Sequence, residues 1–176
     1  MPSSRPVLVN LAPTGVVPTK RDNPFVPTTA DEIAADVLSC AKIGITSVHL
    51  HARDPEGRQT HKGTVYAKII ESIRAATPEV VLCVTCSGRT VSEFSARSEV
   101  LDLTGDVRPD MASLTLGSMN FLRAASVNSP DMIRDLALKM LDNNIKPELE
   151  VFDVGMVNFA NYLIDKGVLK PPFYFN

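Results

Sequence analysis

The chain has 176 residues, of which 22% are charged and 44% hydrophobic, with a formal net charge of −2. That is enough chain for a hydrophobic core at the composition of an ordinary globular protein, and the near-neutral charge gives neither nucleic acid nor an anionic membrane surface a reason to bind. No apolar run approaches the ~20 residues of a membrane span, Met1-Pro2-Ser3-Ser4-Arg5 lacks an apolar signal-peptide core, and the expected location is cytoplasmic.

Residues 7–11 read as a strand ending at Ala12-Pro13-Thr14-Gly15, and a polar loop marked by prolines runs on to Thr28. Thr29-x-x-Glu32 is a capping box, and Ile33, Val37, Leu38 and Ala41 form the apolar stripe of the helix behind it, with Gly44 placed to end it. The β-branched run Ile45-Thr46-Ser47-Val48 leads a second strand into His49-Leu50-His51-Ala52-Arg53-Asp54 and the turn Pro55-Glu56-Gly57. A helix carrying Val65, Ile69, Ile70 and Ile73 stops at Thr77-Pro78. A third strand over residues 80–85 runs into Ser87-Gly88-Arg89-Thr90, and a shorter helix covers about 92–101. A fourth strand, 111–116, ends at Gly117-Ser118-Met119-Asn120. Ser129-Pro130-Asp131 opens a helix with proline at its first position, and Asn143-Asn144 closes it. A fifth strand over 148–152, a helix from about 157 to 166 ending at Gly167, and a sixth strand beginning in 172–176 complete the order.

Regular alternation of strand and helix implies parallel strands joined by crossovers. Polar residues gather at or just after strand ends, where a (β/α)8 TIM barrel carries its active site. A doubly wound open sheet also places its site there, but no G-x-G-x-x-G follows the first strand and no G-x-x-x-x-G-K-[ST] occurs. A full barrel takes about 250 residues. The expectation is therefore an α/β fold: a single partial (β/α) barrel domain over residues 1–176, truncated to about six strands and five helices, with its C-terminal strands missing.

Strand side chains alternate faces, so His49 and His51 point the same way and can grip one metal ion, Zn²⁺ being the first candidate. A third ligand must come from another strand, and Glu148 and Glu150 share one strand face. Arg53 either clamps a substrate carboxylate with its planar fork or pairs with Asp54 or Asp153. Thr85, Ser87, Ser113, Thr115 and Asn120 are candidate substrate-binding residues at strand ends. His61 is expected on the surface. Three cysteines do not make a disulfide framework: Cys83 and Cys86 fall on opposite strand faces, and Cys40 reads as a small core residue. There is no nucleophile elbow, and neither Lys20 nor Lys146 sits like a Schiff-base lysine.

Several of these segments, in order, resemble one family. They are Asn10-Leu11-Ala12-Pro13-Thr14-Gly15 with Pro18-Thr19-Lys20 and Asn23-Pro24, the His49–Asp54 stretch, Thr85-Cys86-Ser87-Gly88-Arg89, Leu116-Gly117-Ser118-Met119-Asn120-Phe121, and Lys146-Pro147-Glu148-Leu149-Glu150-Val151-Phe152-Asp153. The chain is similar throughout to the β-keto acid cleavage enzymes of the 3-keto-5-aminohexanoate type. That resemblance implies a (β/α)8 barrel, commonly a homotetramer, with a catalytic divalent metal, typically Zn²⁺, held by histidines matching His49 and His51. It implies a third ligand glutamate, a general-base aspartate and a substrate-binding arginine late in the barrel, beyond Asn176. Positions matching Thr85, Ser113 and one of Glu148 and Glu150, with Glu150 favoured, line the substrate pocket. The implied reaction joins a small-molecule β-keto acid and the co-substrate acetyl-CoA to give acetoacetate and a new acyl-CoA, through enolate attack, CoA transfer and a retro-Claisen step. The first loop departs from the pattern. The type enzyme carries an acid there that holds the substrate amine, whereas Gly15-Val16-Val17-Pro18 has none, so an apolar or neutral keto acid is expected. The competing expectations are a metal-dependent hydrolase of the amidohydrolase type, which also uses H-x-H, and a non-catalytic truncated barrel that needs a partner chain.

Overall fold

The structure is a computed structural model that describes residues 7–122 and 124–176; the amino-terminal stretch read above for a signal core lies outside them. Strands β1 (Asn10–Leu11), β2 (Ser47–Leu50), β3 (Val81–Val84), β4 (Met111–Thr115), β5 (Lys146–Glu150) and β6 (Tyr174–Phe175) form one sheet. Its six strands follow one another in chain order, and every neighbouring pair is parallel. Helices α1 (Ala30–Ala41), α2 (Gly63–Ala76), α3 (Phe94–Arg97), α4 (Pro130–Asp142) and α5 (Val154–Asp165) occupy the crossovers. Among the described residues, no helix is long and apolar enough to cross a membrane.

The sheet is curled, and its side chains show how far. Neighbouring strands lie ~4.8 Å apart, so in a flat sheet β2 and β5 would be separated by roughly 14 Å. Instead His49 on β2 touches Glu148 on β5 at 2.5 Å, and Asn10 on β1 reaches the same carboxylate at 3.5 Å. These contacts cross the concave side. The result is a truncated TIM-barrel α/β fold, as the alternation of elements implied.

Alternation then sorts the residues by face. Val48, Leu50, Leu82, Val84, Ala112, Leu114 and Leu149 point outward and join Ile33, Ile69, Ile73, Leu136 and Met140 of the helices in the hydrophobic core. His49, Cys83, Ser113 and Glu148 point inward; all are buried, and none belongs to that core.

The capping signals act as read. Thr29 Oγ1 accepts the Glu32 N–H at 3.2 Å, and Glu32 returns the bond to the Thr29 and Thr28 N–H groups at 3.1 and 2.9 Å. Ser129 Oγ accepts the Met132 N–H, and Pro130 is the first residue of α4. Four expectations shift. Asp153 is the N-cap of α5, accepting the Met156 N–H at 2.9 Å, so the helix starts at Val154 rather than at about 157. The helix expected over 92–101 is only Phe94–Arg97, followed by a 3₁₀ turn over Glu99–Asp102. β1 is two residues long, because the Val9 N–H bonds the Thr46 hydroxyl rather than a strand carbonyl. Cys40 is only half-buried and lies outside the core cluster.

Candidate active site

At the carboxyl ends of the strands lies a cleft of about 130 Å³. His49, His51, Thr85, Ser87, Thr115 and Glu150 line it, together with Arg89 and Phe121. The strand register brings them there: His49 is level with Cys83, and Ser113 and Thr115 are level with Glu148 and Glu150. His51 is held from behind by the buried Tyr66 of α2. The Tyr66 hydroxyl faces the Leu50 carbonyl at 3.4 Å and receives the Ala52 N–H at 3.2 Å, which fixes the peptides on either side of His51.

The two imidazole rings lie 5.0 Å apart, centre to centre, and their environments differ. Burial lowers the pKa of His49, but the hydrogen bond and charge of Glu148 outweigh it, and the net shift is upward. His51 has no such partner. Burial, aided by the charges of His49 and Arg53, pushes it down to about 3, and its buried Nδ1 has no hydrogen-bond partner. Burial also raises Glu150, against a bond from the Thr115 hydroxyl. Glu148 is opposed by its own burial yet ends below the ordinary carboxylate value, because His49 and Cys83 stabilise its charge. The Cys83 thiol is pushed well up by burial and the Glu148 charge.

Several sequence-based expectations meet a different geometry. Glu148 does not line the cleft. It is 1% exposed, and its carboxylate receives His49 Nδ1 at 2.5 Å, Cys83 Sγ at 3.3 Å, Asn176 Nδ2 at 3.3 Å and Asn10 Nδ2 at 3.5 Å. A carboxylate offers about four lone-pair sites, so Glu148 is saturated and orients His49. Arg53 pairs with neither Asp54 nor Asp153. Its guanidinium donates to the carbonyls of Gly57, Gly15 and Pro18, each at 2.9 Å, and so ties the first loop to the turn after β2. Asp54 bonds Arg58 instead. Asn120 is exposed and lies outside the cleft, in a short ribbon pairing Met119–Asn120 with Ala125–Ser126; its neighbours Met119 and Phe121 face inward. Ser113 is buried beneath the lining, where its hydroxyl accepts the Cys86 N–H at 3.1 Å and lies 3.5 Å from Thr85 Oγ1. His61 is buried rather than on the surface, because Gln59–Thr60 folds back to pair with Ala52–Arg53. Burial pushes it down to about 4, with the Ser87 backbone opposing the shift. Cys83 and Cys86 do part to opposite faces: Cys86 joins the outer core, while Cys83 lies with His49 and Glu148.

Two residues carry more of the site than their sequence context announced. Arg97, 1% exposed, donates to the Cys86 carbonyl, the Val127 carbonyl and Asn128 Oδ1, buckling the loop after β3 to the loop before α4. Gly88 leaves room for it: a Cβ there would sit 2.6 Å from Arg97 Nη1 and 2.9 Å from the Val127 carbonyl. The other is Arg89, whose guanidinium carbon lies 3.7 Å from the centre of the Phe121 ring. The serine and glycine of Ser87-Gly88-Arg89 at a strand end signalled a tight loop, which was the available hint.

The donor set fits a metal ion. Glu148 on Nδ1 of His49 leaves Nε2 of that ring as the free donor, the usual arrangement behind a metal-bound histidine. His51 is held neutral, as a ligand must be, and has an unpaired buried nitrogen. One donor atom each from His49, Cys83 and Glu148 also lie within 4.8 Å of one another. The saturation of Glu148 favours the pair His49 and His51 as the ligands.

Comparisons with known proteins converge on one family. The family described as beta-keto acid cleavage enzyme matches residues 6–176. A 3-oxoadipate:acetyl-CoA acetyltransferase of Cupriavidus necator is 37% identical over 88% of this chain and 52% of its own length. A 3-keto-5-aminohexanoate cleavage enzyme of Fusobacterium nucleatum is 32% identical over 97% of this chain and 61% of its own. A 3-dehydrocarnitine:acetyl-CoA trimethylamine transferase of Rhizobium meliloti is 32% identical over 96% and 63%. The chain thus spans less than two thirds of the length of these relatives. Among solved structures, ObcA bound to oxaloacetate superposes with a TM-score of 0.78 at 23% identity, over 86% of this chain and 37% of that one, a likeness of fold alone.

Proposed function

Since the chain belongs to the beta-keto acid cleavage enzyme family, we propose that its cleft binds a β-keto acid and acetyl-CoA and yields acetoacetate and a new acyl-CoA. The relatives' names share a 3-keto acid head and differ beyond it, and one of them is named for a dicarboxylic acid. The observation that carries the reading is the side-by-side pair His49 and His51 on the cleft wall, with the saturated Glu148 behind His49.

In this reading His49 and His51 hold a divalent metal, Zn²⁺ first, and Glu148 keeps His49 in the tautomer that presents Nε2. Bound there, the metal supplies Lewis acidity toward the keto oxygen. The Thr85 hydroxyl accepts the Ser87 N–H at 3.2 Å, which leaves its own hydrogen for the carboxylate of the keto acid. Glu150, steadied by Thr115, faces the acid across the cleft. Loss of a proton from the carbon between ketone and carboxylate gives an enolate, which attacks the acetyl thioester and expels the CoA thiolate. The thiolate then adds to the original ketone, and the bond between that carbon and the acetylated carbon breaks to release acetoacetate and acyl-CoA. Residues 1–176 form one partial barrel domain. By the family resemblance, the glutamate ligand, the base and a substrate arginine come from barrel strands that this chain does not match, so the chain by itself turns over little. The same resemblance makes the full-length enzyme a homotetramer, and three free cysteines suit a cytoplasmic setting.

The test is product formation followed by mass spectrometry, with acetyl-CoA present or omitted. The reading predicts that the full-length protein forms acetoacetate and acyl-CoA in equal amounts, only with acetyl-CoA, and that His49→Ala abolishes this. Cleavage of the keto acid without acetyl-CoA would favour the hydrolase instead.

A further inference from the structure

Just outside the catalytic cleft lies a larger groove of about 690 Å³, formed by Val16, Val17, Pro18, Leu122 and Ala124 with Asp22 and Thr90. Val16, Arg89 and Phe121 line both spaces, so they stand where the inner cleft opens into the groove. Most of that boundary is apolar; Arg89 is the exception. Its backbone N–H bonds Ser87 Oγ at 3.3 Å, but no carboxylate among the described residues pairs with its guanidinium. The Phe121 ring lies at stacking distance from it. A guanidinium stacked on a ring keeps the N–H donors at its edge available, and those donors match the two oxygens of a carboxylate. Asp22 is the acid lining this groove, and its carboxylate is occupied by the Thr19 N–H and hydroxyl at 2.9 and 2.7 Å.

We propose that Arg89 is a specificity-determining residue that binds a second carboxylate, at the far end of the keto acid, so that the preferred substrate class is a β-keto dicarboxylate. The inference rests on the keto-acid reading of the cleft and extends it. The head of the acid sits among His49, His51 and Thr85, and its tail passes the apolar wall of Val16 to reach Arg89 at the mouth. The stretch Gly15-Val16-Val17-Pro18 brings no charge to the wall where the cleft opens, so Arg89 is the cation that meets the tail there. It departs from the expectation of an apolar or neutral acid: that stretch offers no acid to a cationic tail, and Arg89 selects an anionic one.

The experiment is equilibrium binding of 3-oxoadipate and of 3-oxohexanoate, an acid of equal length without the second carboxylate, to the full-length protein supplied with Zn²⁺. It needs no turnover. A charge-assisted pair predicts about tenfold tighter binding of the diacid, loss of that preference in Arg89→Gln, and partial rescue in Arg89→Lys. A merely structural role for Arg89, holding Phe121, would weaken both acids alike and overturn the proposal. Binding of acetyl-CoA is measured alongside. A tenfold loss there in Arg89→Gln, with the two acids unchanged, would assign the cation to the CoA phosphates and also overturn it. Equal binding of the two acids refutes the inference and leaves the keto-acid reading standing, whereas binding of neither removes both.

Discussion

The two faces of one short sheet are built on different physics. The outer face is a continuous apolar surface pressed against helices, where Leu82 and Leu114 are buried in the hydrophobic core and an apolar side chain of similar volume would serve. The inner face, one residue out of step along the same strands, buries His49, Cys83, Ser113 and Glu148. Buried polar groups are costly unless each is satisfied, and here His49 and Cys83 bond the Glu148 carboxylate while the Ser113 hydroxyl takes the Cys86 N–H. The outer face therefore sets stability and the inner face sets chemistry. A substitution on one should leave the other's property nearly intact.

The largest effect is expected outside. Leu114→Ala should lower unfolding stability by about 3 kcal/mol through lost burial and the cavity left behind, measured by denaturant unfolding, with Zn²⁺ affinity unchanged below the transition. A similar loss, about 2–3 kcal/mol, is expected for Arg97→Met, which strands the Cys86 and Val127 carbonyls and Asn128. This variant tests the seam between faces, since the loops it ties also shape the cleft. Glu148→Gln goes to the inner face alone: metal affinity should fall about tenfold, while the melting temperature moves little. A large drop in stability with no change in affinity would reverse the division of labour.

The smallest effect is at the rim of the outer layer. The Lys20 ammonium, then the Thr28 and Thr29 N–H groups, hold the Glu32 carboxyl down at about 2. Because the folded value lies below the unfolded one, the stabilisation is present above about pH 4.5, the ordinary glutamate value, and fades as pH falls toward 2. Glu32→Gln should therefore be less stable than the parent at pH 6, by under about 1 kcal/mol for so exposed a cap. The two should converge near pH 2 in a pH series of unfolding curves.

The outer face was legible in the sequence because helix and strand periodicity report burial directly. Ile33, Val37, Ile69 and Ile73 fall where their spacing put them. The inner face was legible only in part. Period-two alternation placed His49 beside His51 and separated Cys83 from Cys86, but it does not show that the sheet curls far enough for β2 to reach β5. Glu148 consequently looked like a ligand or substrate contact rather than the support of His49. Arg53 and Asp54 looked like site charges because adjacency suggested it, yet the backbone carbonyls of the first loop, 35 and 38 residues away in sequence, took the guanidinium. His61 was misplaced because nothing local marks the two-residue ribbon that folds it inward. Arg97 is a basic residue on a short helix, and only the fold turns it beneath two loops.

The most direct test of the account is the zinc content of the purified full-length protein after equilibrium dialysis, compared with His49→Ala and Leu114→Ala. The account predicts that the parent and Leu114→Ala retain zinc alike and that His49→Ala loses it. Zinc retained by His49→Ala, or a parent chain that takes up none, would contradict the assignment of the inner face as a metal-bearing active site.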